Sequence, residues 1–250
     1  MKQTMMKPGE RVDDLQRNGL RILQNPQGFC FGMDAVLLAD FAQLRKRDRV
    51  ADMGTGTGIL PLLMSQNEPT ATFDAFEWQA DMADMSMRSV AMNGLEERIS
   101  VHELDYRKAY ETVGRESMDA VVCNPPYGKQ GGTLLNDADG VTLARHEIEA
   151  TICDVAAACA AILRTHGRLY MVFPATRMLE LCDALRLNRL EPKRIRMVCA
   201  KLEKPPYLVL MEAMKNARPG LLWMPPLVVY RPDGRETQEM DRIYHRSQHA

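Results

Sequence analysis

The chain has 250 residues, 46% of them apolar, which is enough for one large domain with modest extensions and a sizeable core. Its formal net charge of -1 gives no global sign of nucleic-acid binding, although local charge still matters. Six cysteines (Cys30, Cys123, Cys153, Cys159, Cys182 and Cys199) form no CxxC pair, so neither a zinc site nor an oxidised scaffold is indicated.

The N-terminus, MKQTMMKPGERVDDL, has no apolar signal core, and no 18-residue apolar run follows it. A soluble, reducing, cytoplasmic setting away from membranes is therefore expected. Residues 1–19 read as a polar lead-in, and residues 20–31 as short extended pieces broken at Asn25 and Pro26. Asp34 precedes AVLLADFAQLRK, the signature of a helix start. A regular alternation then begins. Strands are predicted at 49–53, 72–77, 99–105, 118–123 and 167–173. Helices are predicted after the glycine turn GTGTG, at 80–94, at 146–163 and at 175–188. Two further strands, 194–200 and 207–214, lie close together. The stretch 129–142 reads as a surface loop, and a proline-rich segment leads into a polar tail. The 18 methionines read as adaptable core filler.

Alternating strands and helices imply an α/β fold, with a mostly parallel seven-stranded sheet covered by helices on both faces. The last two strands suggest an antiparallel edge hairpin. Residues 1–48 are expected to pack as an extension on a core of 49–215, with 216–250 as a C-terminal extension of the same domain.

Chemistry concentrates at the predicted strand ends. Gly54, Gly56 and Gly58 allow the backbone to approach a ligand closely. The dinucleotide fingerprint needs a glycine where Ile59 stands, and the P-loop lysine is absent. Asp52 can organise the loop or meet an ammonium group. Glu77 ends the second core strand and can accept the two hydroxyls of a ribose. Asp105 ends the third and can accept from an adenine amine or a nearby backbone N–H. Strand ends in an open parallel sheet converge on one crevice.

The fourth strand runs into CNPPYGK. Asn124 offers a side-chain carbonyl; Pro125 and Pro126 lack N–H groups and stiffen the turn. Tyr127 supplies a flat face. Two acceptors there can hold both hydrogens of an exocyclic NH2 and aim its nitrogen at a methyl donor. Cys123 reads as an inward-facing strand residue, and no metal is required.

Together, ADMGTGTG, FE at 76–77 and NPPY resemble the class I S-adenosylmethionine-dependent methyltransferases with a Rossmann-like fold. The resemblance implies cofactor contacts from Asp52, Gly54, Thr55, Gly56, Gly58, Glu77, Asp105 and Asn124. NPPY is similar to the amino-methyltransferase motif, whose targets include adenine N6, guanine N2, cytosine N4 and glutamine amides. Across roughly 12–246, the runs FGMDAVLLADFA, RSVAMNGLEERI, CNPPYGK and PPLVVYRPDG resemble the bacterial tRNA1(Val) (adenine(37)-N6)-methyltransferase family. That resemblance implies transfer to an adenosine beside the anticodon. Asn124 and the backbone around Pro125 would hold N6, Tyr127 would stack on the base, and Phe31 and Asp34 would close over the cofactor. Gly128 departs from the hydrophobic or aromatic residue that many members carry after the motif. The window 186–218 holds nine Lys or Arg against three Glu. Lys193, Arg194 and Arg196 are its candidate RNA-phosphate contacts, with Lys129 and Arg145 nearer the mouth. The alternatives are an rRNA base methyltransferase, a DNA methyltransferase, a release-factor glutamine methyltransferase, and a catalytically idle RNA-binding protein. The release-factor family usually carries a helical recognition domain, and too few residues precede the first core strand to hold one.

Overall fold

A computed structural model describes residues 6–28, 30–125 and 151–246. A small hairpin, β1 (Arg11–Asp14) and β2 (Arg21–Gln24), leads into helix α1 (Met33–Phe41). The alternation follows as β3 (Arg49–Met53), α2 (Ile59–Asn67), β4 (Thr72–Glu77), α3 (Ala80–Met92), β5 (Ile99–Glu103), α4 (Ala109–Val113) and β6 (Met118–Cys123). Beyond it come α5 (Ile152–Ile162), β7 (Leu163–Pro174), α6 (Met178–Leu187), β8 (Leu190–Cys199) and β9 (Pro206–Lys215). Two short strands, β10 (Leu222–Trp223) and β11 (Leu227–Val228), and helix α7 (Gln238–Ile243) complete the described elements.

The main sheet has the order β10-β8-β9-β7-β6-β3-β4-β5, with β11 also pairing β8. Strand β9 runs antiparallel to β7 and β8, and the other pairings are parallel. The seven expected strands are present. The expected edge hairpin is modified: β9 is inserted between β7 and β8, and the outer side of β8 is covered by β10 and β11. Pro225 and Pro226 separate those two pieces, which keeps the added edge short because proline cannot donate to a ladder.

Alternate strand residues face opposite layers. Val50, Ala120 and Val122 pack with α1 and α2, whereas Ala51, Met53, Val121 and Cys123 pack with α5 and α6. Burial on both faces explains why MDAVVC is apolar almost throughout. Among the described residues no helix is long and apolar enough to cross a membrane.

The lead-in contains a strand that the sequence did not announce. β1 has mostly exposed side chains and gains its structure by pairing with β2. Around it, Glu10 receives a two-pronged ion pair from Arg88 of α3, at 2.6 and 2.7 Å. The Leu23 amide donates to Ser89 Oγ at 2.9 Å. Buried Arg17 donates to the Ile243 carbonyl at 2.9 Å and to Asn67 Oδ1 at 3.2 Å, joining the N-terminal segment to α2 and α7. These ties bring α1, and with it Asp34, against the carboxyl edge of the sheet.

Candidate active site

The glycine turn is built against the neighbouring strand. Gly54 and Thr55 both donate their amides to the Phe76 carbonyl, at 3.0 and 2.9 Å. At Gly58 the backbone has φ 91°, and an added Cβ would stand 2.6 Å from Ser86 Oγ. Glycine is thus required there for the close approach of α2 to α3. At Gly54 and Gly56 φ is also positive, but an added Cβ would meet nothing within 4 Å. The space above those two residues is open to a ligand.

Glu77 closes one side of this cradle. Its Oε2 accepts the Gly56 amide at 2.9 Å and its Oε1 accepts the Gln79 amide at 3.0 Å. Burial pushes its carboxyl up, while the amides of Gln79, Gly56 and Trp78 work in the other direction. Asp52 lies at the cradle floor, fully buried. Burial pushes its carboxyl up to about 7; the Thr55 hydroxyl opposes this, and the charge of Glu77 adds to it. Among the described residues, neither Asp52 oxygen has a hydrogen-bond partner, nor do Thr55 Oγ1 and Ser86 Oγ. Thr55 is near enough to favour the charge without forming a bond of ordinary geometry. Buried polar atoms in native proteins are nearly always satisfied, so orphans clustered under an open glycine turn mark a ligand's place.

Asp105 follows the end of β5 on the same edge. Its carboxylate accepts the Arg107 amide at 2.9 Å and grips the Arg107 guanidinium at 2.5 to 3.0 Å. Those hydrogen bonds hold its carboxyl below the usual range. Phe31 packs half-buried beside α1, and its amide donates to Gln24 Oε1 at 3.1 Å. Asp34, in the first turn of α1, accepts from Asn124 Nδ2 at 3.1 Å. Asn124 is half-buried and Pro125 is buried. Pro126, Tyr127, Gly128, Lys129, Arg145 and the 129–142 stretch lie outside the described residues. Cys123 points inward as expected, its thiol donating to the Met53 carbonyl at 3.3 Å. Hydrogen bonding with Cys159 and burial hold that thiol far above its ordinary range, so it is no nucleophile.

The seven long strands form a Rossmann-like sheet of order 3-2-1-4-5-7-6, with the glycine turn and the acids at its carboxyl edge. The family model of the methyltransferase small domain matches residues 31–186, more than half of the chain. The chain belongs to that family. It is 29% identical over 181 residues to a tRNA1(Val) (adenine(37)-N6)-methyltransferase of Parabacteroides distasonis, covering 72% of this chain and 75% of the relative. A protein of the same name from Haemophilus influenzae is 27% identical over 218 residues, covering 87% and 90%. With the Aeromonas hydrophila relative the aligned part falls to 58% of its length. Among solved structures, a predicted O-methyltransferase, protein Atu636 from Agrobacterium tumefaciens, superposes with a TM-score of 0.70. It is 22% identical, with 85% of this chain and 96% of that chain covered, a likeness of fold alone.

Members of the class I methyltransferase fold bind S-adenosylmethionine, and the cradle described above suits that cofactor. It carries a ribose, a sulfonium and an ammonium group but no pyrophosphate. Its size and charge fit open glycine backbone, a strand-end carboxylate at Glu77 and the unsatisfied Asp52. Trp78 stands half exposed immediately beyond Glu77.

The basic strand does not present the phosphate-facing arginines expected of it. Arg194 is buried: it pairs with Glu212 at 2.7 Å, donates to the Phe41 carbonyl at 2.9 Å and lies 4.2 Å from the centre of the Phe41 ring. Arg196 pairs with Glu239 of α7 at 2.7 Å. Lys193 donates to the Arg218 carbonyl at 3.1 Å. Alternate residues of a strand share a face, and here Arg194 and Arg196 turn inward to hold α1 and α7. They are not presented to RNA phosphates.

Proposed function

We propose that this methyltransferase modifies the N6 amine of an adenosine in tRNA, with adenosine 37 of tRNA1(Val) as its target. The observation that carries the reading is Asn124, held at the carboxyl end of β6 beside the glycine cradle with its amide NH2 turned to Asp34. An amide that donates through Nδ2 in this way turns its Oδ1, an acceptor, away from Asp34, and a substrate NH2 would donate to that oxygen. The name carried by the Parabacteroides and Haemophilus relatives supports the same target.

S-adenosylmethionine supplies an already activated methyl group, so the protein's work is binding, orientation and electrostatics. Asp52, Thr55 and the Gly54–Gly58 turn would hold its amino-acid end, and Glu77 its ribose. Asn124 Oδ1 and the backbone acceptor at Pro125 would take the two N6 hydrogens. That pairing localises the nitrogen lone pair and points it at the methyl carbon. The bound cofactor would supply the methyl carbon and depart as the neutral thioether, and one N6 proton would leave to solvent. Pro126 and Tyr127, outside the described residues, would stiffen the motif and stack on adenine. Adenosine 37 lies in a loop, where turning a base outward costs less than in a duplex.

A different RNA surface replaces the basic strand. Tyr207 opens β9 and is 39% exposed; Tyr230, joined to Ala200 at the end of β8, is 36% exposed. Both stand on the carboxyl edge of the sheet, with Lys204 in the turn between β8 and β9 and, beside it, Lys201, whose ammonium donates to the Pro232 carbonyl at 3.4 Å. Flat rings for unstacked bases and cations for phosphates suit a single-stranded loop. The test is incubation with labelled methyl donor and separate pools of tRNA, rRNA, DNA and release factor, followed by nucleoside analysis. Label in N6-methyladenosine from the tRNA pool is expected. Label confined to release factor, to rRNA or to another nucleoside would overturn the reading, and cofactor binding without transfer would favour an idle RNA-binding protein.

A further inference from the structure

The sequence places Asp34 and Asn124 far apart, and the fold joins them. Asp34 Oδ1 accepts the amide of Ala35 at 2.9 Å, and Oδ2 accepts Asn124 Nδ2 at 3.1 Å. The carboxylate also leans over Gly32, where an added Cβ would come within 2.8 Å of Oδ1. The first turn of α1 is therefore shaped around this side chain. A carboxylate suits that position, because a helix N-terminus presents unpaired N–H groups and a positive dipole end. The adjacent Met33 is fixed in turn, since Tyr207 Oη lies 3.8 Å from its sulfur.

We propose that Asp34 is a positioning residue for Asn124, fixing which end of the amide faces the substrate amine. An asparagine amide is nearly symmetric in shape but opposite in chemistry at its two ends. Turned over, it would offer NH2 to an NH2, with no acceptor for the hydrogens of the target. A carboxylate accepts only, so Asp34 can satisfy Asn124 in one orientation and not in the other. Its negative charge also polarises the amide through the hydrogen bond, making Oδ1 a stronger acceptor. During transfer positive charge gathers on the attacking nitrogen, and a carboxylate one amide away is placed to favour it. This role differs from the closure over cofactor that resemblance alone implied for Asp34. The inference rests on the amino-group reading of Asn124, yet it holds for any NH2 acceptor, adenine or otherwise.

The experiment combines a kinetic cycle with a direct view of the amide. Asp34→Ala is expected to lower kcat by about 10²-fold, the scale of a misplaced catalytic group. The cofactor dissociation constant should stay within about threefold. Asn124→Ala and the double variant should then be equally slow, because Asp34 acts through Asn124. Independent of any substrate, the side-chain NH2 resonances of Asn124 can be identified in 15N-labelled protein by their loss in Asn124→Ala. In the wild-type protein they should exchange with solvent more slowly than those of an exposed asparagine, and Asp34→Ala should abolish that protection. Fast exchange in the wild type would overturn the inference even if the variant failed to fold. Loss of cofactor affinity with kcat unchanged would return Asp34 to a cofactor role, and additive losses in the double variant would reject action through Asn124. Failure of the tRNA assay with a protected Asn124 amide would count against the substrate and leave the positioning role standing.

Discussion

The two halves of the proposed site are assembled differently. The cofactor half is local: one turn, Gly54–Gly58, lies over Asp52, and its amides donate to the Phe76 carbonyl and the Glu77 carboxylate of the adjacent strand. The acceptor half is composite. It draws Asn124 from β6, Asp34 from α1 and a tyrosine rim from the far end of the sheet. A local site is written in consecutive residues, whereas a composite one exists only after the sheet and its extensions have packed. The difference predicts separable phenotypes.

The largest effect should come from the acceptor half. Asn124→Ala is expected to slow methyl transfer by about 10²-fold or more while the cofactor dissociation constant, measured by calorimetry, changes little. Equal loss of both would erase the division into halves. Next comes the packing that carries the acceptor half. Arg194→Ala leaves Glu212 and the Phe41 carbonyl without their buried partner, and should cost about 3 kcal/mol in denaturant unfolding.

In the cofactor half, the buried Asp52 makes binding depend on pH. Its carboxyl is pushed up to about 7, and a cationic ligand favours the ionised form. Cofactor affinity should therefore be full above that value and fall roughly tenfold between about pH 8 and pH 6. The free protein shows the opposite sign. With the folded value above the unfolded one, Asp52's contribution to stability is fully present below the unfolded value of about 3.9 and is lost as pH rises to about 7. Asp52→Asn should flatten the binding profile, and an unchanged profile would move the ammonium contact elsewhere. The smallest effect is expected at Lys193. Lys193→Ala should leave RNA affinity within about twofold, whereas Tyr207→Ala should weaken it by about tenfold or more in a filter-binding titration at fixed salt.

Much of this was legible in the residues. The apolar strands of 49–123 announced a doubly covered parallel sheet, because burial on both faces needs continuous apolar runs. The glycine turn announced a close backbone approach, which Gly58 makes against Ser86; of NPPY, only Asn124 and Pro125 lie among the described residues. What escaped notice depended on partners remote in the chain. β1, β10 and β11 are two to four residues long and are strands only through what they pair with. Arg194 and Arg196 looked like a basic patch because net charge records no direction, and strand register turned them inward. The Asp34–Asn124 bond spans 90 residues of sequence, a separation across which no local pattern can speak.

The central claim is that the site grips an amino group, and one measurement tests it most directly. An anticodon stem-loop with adenosine at the target position is compared with the same RNA carrying inosine there, which lacks the amine. The account predicts methyl transfer to the adenosine RNA, recovered as N6-methyladenosine, and none to the inosine RNA. Equal labelling of both would contradict it.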